Sequence, residues 1–356
     1  MKILLFCENK YAIDILNPIQ EYVTDNHLPH EVLWYIHEKK IDAFAYADQV
    51  RWTSSIQEAY NFSPEAIFVP GNIVPYYLPG VKIQVFHGYA AEKKDHWIIR
   101  RYFDTYFTQG PYFTSHFKAL AKKYGDFEVV ETGWPKQDWI MKNLHRYDDE
   151  KQALLEKSGK QTIILYAPTF SPKLTSLPLP DMKEQLERLA HERNALVLMK
   201  FHPLTRQEWA DEYKAWAEGK DDIIYIDKGE NVTKYQLMSD VLISDTSSTI
   251  YEFLLLSRPV ITIGTLSKEI YWEDIATPET LLRAYDHALT DPEAIARRQW
   301  IVDNYDPYLD GHVCERMLNA AADYIHRHGV PTKRHLNLWR KYTSIKTFGN
   351  VKRKKL

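Results

Sequence analysis

Short apolar runs alternate with helix-like stretches through most of this chain, and this alternation limits its fold more than any other feature. The runs in the first half end in polar or Gly/Pro turns and lie at 2–7, 31–35, 66–69, 82–86, 105–108 and 129–131. A second series lies at 162–166, 195–200, 223–226, 241–243 and 260–263. Strands that alternate with helices form parallel sheets covered on both faces. We therefore predict an α/β fold with two Rossmann-like lobes.

A charged stretch near residues 145–160 separates the two series of runs. The predicted domains are an N-terminal lobe at 1–148, a C-terminal lobe at 149–310, a return helix at 311–330 and a basic amphipathic tail at 331–356. Ligands of open parallel sheets bind beyond the carboxyl ends of the strands. The candidate site residues are therefore those that directly follow a run, in a cleft where the two lobes face each other.

The composition excludes several classes of protein. Two cysteines, Cys7 and Cys314, provide neither a disulfide framework nor a Cys-rich zinc site. No segment has the length and apolarity of a transmembrane helix, and the N-terminus lacks a signal-peptide cleavage pattern. These features predict a cytoplasmic protein.

Positive charge is concentrated in the C-terminal segment. Nine of the 45 Lys and Arg residues lie at 331–356, which has no Asp or Glu, so the remaining 36 against 48 acidic residues give the rest of the chain a charge of −12. The same segment carries Leu336, Leu338, Trp339, Tyr342, Ile345 and Phe348. A solvated tail and an anchor for an anionic membrane surface both fit this pattern. The acidic body and the lack of binding motifs argue against nucleic acid.

A run of hydroxyl side chains follows one apolar run and precedes an apolar helix. Its residues are Ser244, Asp245, Thr246, Ser247, Ser248 and Thr249. A helix cap needs only one or two such residues. The free N–H groups and the positive dipole end of a helix start also bind phosphate. The pattern favours a phosphate site over simple capping.

Two histidines follow predicted strands. His87 precedes Gly88, which lets a ligand approach the backbone, and an imidazole can accept a hydroxyl proton near neutral pH. Lys200 and His202, followed by Pro203, place cationic groups where a diphosphate could bind. A structural role at the end of a strand is the alternative for both histidines.

Two weaker features also follow strands. Thr169 lies just past the run at 162–166, and Gly133, Trp134, Pro135 and Asp138 follow the run at 129–131. Each feature alone predicts only a turn. The sequence has no phosphate-binding glycine loop and no metal-binding motif, so we predict chemistry without a metal or another cofactor.

Six motifs occur in a fixed order along the chain: HG at 87–88, TGWPKQD at 132–138, YAPTF at 166–170, FHP at 201–203, SDTSSTIYEFLLLSRPVI at 244–261, and DG followed by ER at 310–316. Together they resemble the CDP-glycerol glycerophosphotransferase family, which makes and primes teichoic acids and related capsule polymers. The resemblance implies a GT-B type fold with a deep interdomain cleft and a C-terminal helix that crosses back. The first lobe would face the acceptor and the second would bind the nucleotide donor.

The resemblance also implies transfer of glycerol phosphate from CDP-glycerol to a hydroxyl of a lipid-linked or cell-surface polymer acceptor, with release of CMP. By this analogy His87 deprotonates the acceptor and His202 stabilises charge on the diphosphate. The implied donor-side residues are Gly88, Thr169, Lys200, Pro203, Asp245, Thr246, Ser247, Ser248 and Glu252. Gly133, Trp134, Pro135 and Asp138 would also line the cleft.

The chain departs from the family pattern at several positions. Residues 86–90 read FHGYA where the family commonly has WHGTP, Ser171 stands where Arg is common, and Glu252 stands where Asp is common. CDP-ribitol, another CDP-polyol and a nucleotide sugar therefore stay alternative donors. The alternative functions are a GT-B glycosyltransferase, a UDP-sugar 2-epimerase-like enzyme and an inactive nucleotide-binding protein. The chain length favours a primase as much as a polymerase, working at the inner face of the cell membrane.

Overall fold

A computed structural model of the protein describes residues 1–41, 43–89, 91, 94–169, 181–332 and 336–352. Ala90, Phe170 and Ser171 of the sequence motifs lie outside the described residues, as do 333–335 and 353–356 of the basic tail. The chain divides into two units. Unit 1 contains Met1–Lys142 and Asn304–Leu356, and unit 2 contains Asn143–Asp303. The domain bounds predicted from the sequence are 148/149 and 310/311, and the unit bounds in the structure are 142/143 and 303/304.

Unit 1 contains a parallel sheet of seven strands in the order β3-β2-β1-β4-β5-β6-β7. The strands are β1 Lys2–Cys7, β2 Glu31–Ile36, β3 Trp52–Thr53, β4 Ala66–Val69, β5 Val81–Gln84, β6 Thr105–Thr108 and β7 Glu128–Glu131. The central strands are almost wholly buried and apolar, as parallel strands covered on both faces must be. The strand order reverses between β1 and β4, which is the usual ligand-binding position in such sheets.

The helices of unit 1 come from both ends of the chain. They are α1 Tyr11–Asp25, α2 Ile56–Phe62, α3 Pro111–Tyr124, α4 Lys136–Lys142, α12 Val313–His328 and α13 Leu338–Phe348. The chain therefore returns to unit 1 after unit 2, and α12 packs against α1 and α4. Leu336 and Phe348 are buried in the same apolar cluster as Leu4, Phe6 and Ile67.

Unit 2 contains a parallel sheet of six strands in the order β10-β9-β8-β11-β12-β13. The strands are β8 Thr162–Tyr166, β9 Ala195–Lys200, β10 Ile223–Ile226, β11 Val241–Ser244, β12 Val260–Ile263 and β13 Glu273–Ile275. The helices are α5 Asp148–Ser158, α6 Lys183–Glu192, α7 Gln207–Ala217, α8 Val232–Met238, α9 Thr249–Leu254, α10 Leu281–Thr290 and α11, which runs from Pro292 to Tyr305. Here the order reverses between β8 and β11.

The predicted α/β fold is confirmed, and every predicted apolar run overlaps a strand. Two differences have physical causes. The run at 82–86 was predicted too long, because β5 ends at Gln84 and Phe86 adopts a left-handed φ of 62°. The tail was predicted as one amphipathic surface, but Leu336 and Phe348 are buried in the core of unit 1 and do not belong to that surface.

Candidate active site

His87 lies in a backbone segment with unusual dihedral angles. Phe86 has a φ of 62° and Gly88 has a φ of 139°, so residues with positive φ flank the histidine on both sides. For a non-glycine residue such as Phe86 this region costs on the order of 1–3 kcal/mol, and surrounding contacts must enforce it. The turn exposes His87, while Phe86 and Gly88 are buried. Such strain is typical of functional sites.

Hydrogen bonding fixes which nitrogen of His87 carries the proton. Nδ1 lies 3.1 Å from the carbonyl oxygen of Pro70. Because a carbonyl only accepts, Nδ1 donates, and the neutral ring has its lone pair on Nε2. Gln84 Nε2 donates to the same carbonyl at 3.2 Å. His87 therefore has the tautomer that a base acting through Nε2 requires.

A buried hydrogen-bond network anchors the loop that follows His87. The Tyr89 hydroxyl donates to Asp306 Oδ2 at 2.6 Å and accepts from Gln137 Nε2 at 2.8 Å. The backbone N–H of Trp134 donates to the same carboxyl oxygen at 3.0 Å. Burial raises the pKa of Asp306 well above its usual range. Trp134 is only 2% exposed, so it holds this loop from the interior.

The other residues of the TGWPKQD motif also have structural contacts within unit 1. Gly133 has a φ of 87°, and a Cβ there would lie 2.8 Å from Val313 Cγ2, so conformation and space both require glycine. Pro135 is buried. Asp138 accepts from the N–H groups of Val313 and Cys314 at 2.9 and 2.7 Å, which caps the first turn of α12. The ligand contacts predicted for this motif stay predictions.

In unit 2, Asp245 joins the carboxyl ends of β8 and β11. Its carboxylate accepts from the Thr169 N–H at 3.0 and 3.1 Å, from the Thr169 hydroxyl at 2.9 Å and from the Thr246 N–H at 2.6 Å. Burial raises the pKa of Asp245, and these hydrogen bonds oppose the increase. Asp245 therefore shapes the backbone where the strand order reverses, which is the expected ligand position.

The hydroxyl side chains that follow β11 differ in their partners. Thr246 Oγ1 accepts a backbone N–H at 2.9 Å, and Ser247 Oγ accepts from the Thr249 hydroxyl at 2.8 Å. Ser248 precedes α9 without a side-chain capping bond. Glu252 lies in the first turn, where a carboxylate suits the helix dipole. Because α9 has only six residues, its dipole contributes less to anion binding than a long helix would.

Lys200 ends β9 with a buried ammonium group. It is 4% exposed, and Nζ donates to the carbonyl oxygens of Phe201 at 3.1 Å and Lys228 at 2.9 Å. Burial lowers its pKa, and Asp227 and Glu230 act in the opposite direction. Two of its three N–H donors are therefore used within the protein, and the predicted diphosphate contact depends on the third.

His202 has the opposite tautomer to His87. Its Nδ1 lies 3.0 Å from the Leu204 N–H, which can only donate, so Nδ1 accepts and the proton lies on Nε2. Burial, and then the charge of Lys200, lower the pKa of His202. The ring and the following Pro203 are exposed. A neutral imidazole of this kind offers an N–H donor to an anionic oxygen.

The polar residues that follow β1 were not among the predicted site residues. Glu8 is 5% exposed, and burial raises its pKa to about 7. The Tyr11 ring lies 5.3 Å from the His87 ring. These residues could have been predicted, because they form a polar segment directly after an apolar run. The same pattern indicated His87. Asp306 gave no signal, because its partners are distant in sequence.

Within the described ranges, no group of three or more His, Cys, Asp or Glu side chains is arranged to hold a metal ion. The predicted metal-independent chemistry stays a prediction. Over the same residues, no helix has the length and apolarity needed to cross a membrane.

Two parallel sheets with Rossmann strand order define an α/β protein of the GT-B type. The wall teichoic acid polymerase TagF has a similar structure, with a TM-score of 0.65 and 17% identity over 91% of this chain and 89% of that chain. The UDP complex of MnaA from Staphylococcus aureus also has a TM-score of 0.65, with 14% identity over 95% of this chain and 99% of that chain. At such low identity these matches establish the fold alone.

The family follows from a separate comparison of sequences. The model of the CDP-Glycerol:Poly(glycerophosphate) glycerophosphotransferase family matches residues 19–322, and the chain belongs to this family. The membership confirms the resemblance seen in the motifs.

Curated relatives match about half of the chain. The teichoic acid ribitol-phosphate polymerase TarK of Staphylococcus aureus is 28% identical over 55% of this chain and 39% of its own length. The ribitol-phosphate primase of Bacillus spizizenii is 28% identical over 54% of each protein. The glycerol-phosphate primase of Bacillus subtilis is 25% identical over 58% of this chain and 55% of its own length. The matched part thus spans about half of these relatives or less.

Proposed function

We propose that this protein transfers a polyol phosphate from a CDP-activated donor to a hydroxyl of a lipid-linked or cell-surface polymer acceptor. Glycerol phosphate is the first candidate, because the family description specifies it. Ribitol phosphate is the second, because it appears in the names of two of the relatives above. Membership of the family is the main support for a transferase of this class.

The observation that carries the chemistry is the pair of opposite histidine tautomers. His87 has a lone pair on Nε2, so it can take the proton of the acceptor hydroxyl. The acceptor oxygen then attacks the phosphorus that bears the polyol, and the bond from this phosphorus to the bridging oxygen breaks. CMP leaves with that oxygen. His202 has a proton on Nε2, so it can donate to the diphosphate, where negative charge increases.

Hydrogen-bond donors of unit 2 would further stabilise the negative charge on the diphosphate. Ser248 makes no capping bond, and Lys200 has one N–H beyond the two that bind carbonyl oxygens. Asp245 contributes by holding the backbone of Thr169 and Thr246 rather than by contact with the donor, since an anionic carboxylate would repel a diphosphate.

The test is the release of CMP from CDP-glycerol and CDP-ribitol, with UDP-sugars in parallel, in the presence and absence of a lipid-linked acceptor. We expect release that depends on the acceptor and falls at least about a hundredfold in His87→Ala and His202→Ala. Turnover of a UDP-sugar without any CDP-polyol activity would overturn the proposal. Folded variants with near wild-type rates would overturn the roles of the histidines.

We further propose that α13 places the protein on an anionic membrane surface at the inner face of the cell membrane. Leu338, Trp339 and Tyr342 are 82%, 72% and 56% exposed, while Phe348 on the same helix is buried. Lys346 is exposed on the same helix, Arg340 and Lys341 are half-buried over the rings of Tyr102 and Tyr76, and the helix contains no acidic residue. Exposed apolar and aromatic side chains on a helix whose charged groups are all cationic fit the interface of an anionic bilayer.

Sedimentation with vesicles of phosphatidylglycerol or phosphatidylcholine tests this contact. We expect binding to the anionic vesicles only, and its loss in the double variant Leu338→Ser/Trp339→Ser. Ile295→Ser is the matched control, because Ile295 is 45% exposed on unit 2. Equal sedimentation of the wild type and the double variant would contradict the proposal.

A further inference from the structure

Three neighbouring strands of unit 1 end beside one another. Strands β1 and β4 pair with Leu5 opposite Phe68, and β4 and β5 pair with Val69 opposite Gln84. The segments after them contain Glu8, the turn at 70–72 and His87. The sheet therefore brings Glu8 and the candidate base to the same edge, at the position where the strand order reverses.

The carboxyl group of Glu8 lies directly against the turn at 70–72. A Cβ on Gly71 would lie 1.9 Å from Glu8 Oε1 and 2.4 Å from its Cδ, so only glycine leaves room for the carboxyl. The backbone N–H of Asn72 bonds to the same side chain. The position of the turn and the position of Glu8 therefore depend on each other.

Two short routes connect Glu8 to the imidazole of His87. The first runs through the turn, whose Pro70 carbonyl accepts from His87 Nδ1 at 3.1 Å. The second runs through Asn9, whose Nδ2 donates to Glu8 Oε1 at 3.4 Å and to the Tyr11 hydroxyl at 3.1 Å. The Tyr11 ring in turn lies 5.3 Å from the His87 ring. Through these contacts Glu8 holds the Pro70 carbonyl and the Tyr11 ring, and both of these groups contact His87.

Glu8 is a costly residue at this position. It is 5% exposed, and its Oε2 is buried without a hydrogen-bond partner in the described part of the chain. An unpaired buried carboxyl oxygen destabilises a fold. Such a group beside a candidate site indicates a functional role.

We propose that Glu8 is a positioning residue for His87, which it orients through the turn at 70–72 and the Asn9–Tyr11 pair, and whose proton affinity it increases when ionised. The inference rests on the proposed function, in which His87 is the base. Burial raises the pKa of Glu8 to about 7, and Lys40 and then the Asn72 N–H oppose this increase. Glu8 therefore changes charge in the range where imidazoles titrate.

Cys7 and Tyr11, two ionisable groups close to Glu8 along the chain, do not change charge in this range. The thiol of Cys7 has its pKa raised to about 12, mainly by burial, with Glu8 and Asp14 adding to the shift. The phenol of Tyr11 also has a pKa of about 12. Of these three groups, Glu8 is the one whose ionisation can alter His87 near neutral pH. His37 follows β2 beside the end of β1, and burial, then the charges of Lys40 and Lys39, lower the pKa of its imidazole.

The test compares Glu8→Gln with the wild type by NMR titration of the His87 ring and by the pH dependence of kcat and kcat/KM. We expect the His87 pKa to fall by about half a unit or more, and the acid limb of kcat/KM to move to lower pH. We also expect kcat to fall by about tenfold with little change in KM for the donor. A folded Glu8→Gln protein with the wild-type His87 titration and kcat would overturn the proposal.

Glu65→Gln is the matched control, because Glu65 is a half-buried carboxylate directly before β4 that accepts the Lys2 N–H at 2.7 Å. It should leave the His87 titration unchanged. If Glu8→Gln fails to fold, Glu8→Asp replaces it. This variant keeps the charge but moves it, so we expect a wild-type titration with reduced kcat, and an unchanged kcat would overturn the proposal. The NMR titration needs no nucleotide donor. It therefore distinguishes a failure of the Glu8 proposal from a failure of the proposed function.

Discussion

At the scale of single residues, the two candidate histidines differ in which nitrogen carries the proton, and this difference predicts different tolerance to glutamine. The Gln amide can donate in place of His202 Nε2–H but cannot accept a proton in place of His87 Nε2. We expect His202→Gln to stay within about tenfold of the wild-type rate while His202→Ala loses about a hundredfold. His87→Gln should lose about 10² to 10⁴, as much as His87→Ala. Steady-state CMP release measures the rates of all four variants. Equal losses in the two His202 variants would contradict the role of His202 as a hydrogen-bond donor.

Glu8 gives a second residue-scale prediction, on stability. Because its pKa rises from 4.5 to about 7 on folding, Glu8 favours the folded state fully below about pH 4.5, and this contribution is lost as the pH rises through 7. Glu8→Gln, which cannot ionise, should therefore be more stable than the wild type at pH 8, by up to about 3 kcal/mol, and by less than about 1 kcal/mol at pH 5. Urea unfolding at the two pH values tests this, and a variant that is less stable at pH 8 contradicts it.

The candidate site residues show which features can be predicted from their positions at the ends of strands. The sequence correctly placed His87 and His202 after buried strands, because that position follows from apolar runs alone. It could not show that Lys200 turns its ammonium group toward carbonyl oxygens of its own unit. Nor could it show the interior role of Trp134, whose partner Asp306 is 172 residues away in sequence. Tautomers and buried networks depend on such distant contacts, which have no local pattern.

At the scale of elements, α12 depends on a cap from another helix. His312 precedes α12 without a side-chain capping bond, and Asp138 on α4 supplies both acceptors instead. We expect Asp138→Ala to lower the free energy of unfolding by about 1–2 kcal/mol and to leave KM for the donor within about twofold. Urea unfolding and steady-state kinetics separate the two effects. A large rise in KM without loss of stability would instead support the predicted ligand contact of Asp138.

Helix α13 has one buried and one exposed side. Phe348 is 7% exposed and stacks edge-on against Phe6 at 5.2 Å, so Phe348→Ala should cost about 3–5 kcal/mol of stability. Trp339 is 72% exposed, and Trp339→Ala should change stability by less than about 0.5 kcal/mol. Chemical denaturation of the two variants checks this difference. Similar stability losses would mean that the exposed side of the helix is also packed in solution.

The strands show which elements a sequence pattern can reveal. Buried parallel strands are continuous apolar runs, so the central strands of both sheets were predicted. Strands β3 and β13 were missed, because β3 has only two residues and β13 reads Glu-Asp-Ile, and both lie at sheet edges. Edge position alone does not hide a strand, because β7 and β10 also lie at sheet edges and were predicted from apolar runs. Strand β3 is too short for a run, and β13 is too acidic for one. The conformation of Phe86 was missed because nothing in its side chain requires a positive φ.

At the scale of the whole molecule, the proposed function assigns different ligands to the two units, and this assignment can be tested by hydrogen exchange. A ligand that binds only the folded state stabilises it by mass action, about 2.7 kcal/mol at a hundredfold excess over Kd. CDP-glycerol without acceptor should therefore slow exchange in unit 2 at 167–169, 201–206 and 245–249, the segments after β8, β9 and β11. Exchange at 8–11 and 70–72 in unit 1 should change less. The His202→Ala variant should lose this protection, while His87→Ala should keep it. Protection confined to unit 1 would reverse the assignment of donor and acceptor, because the binding free energy appears in the segments that contact the ligand.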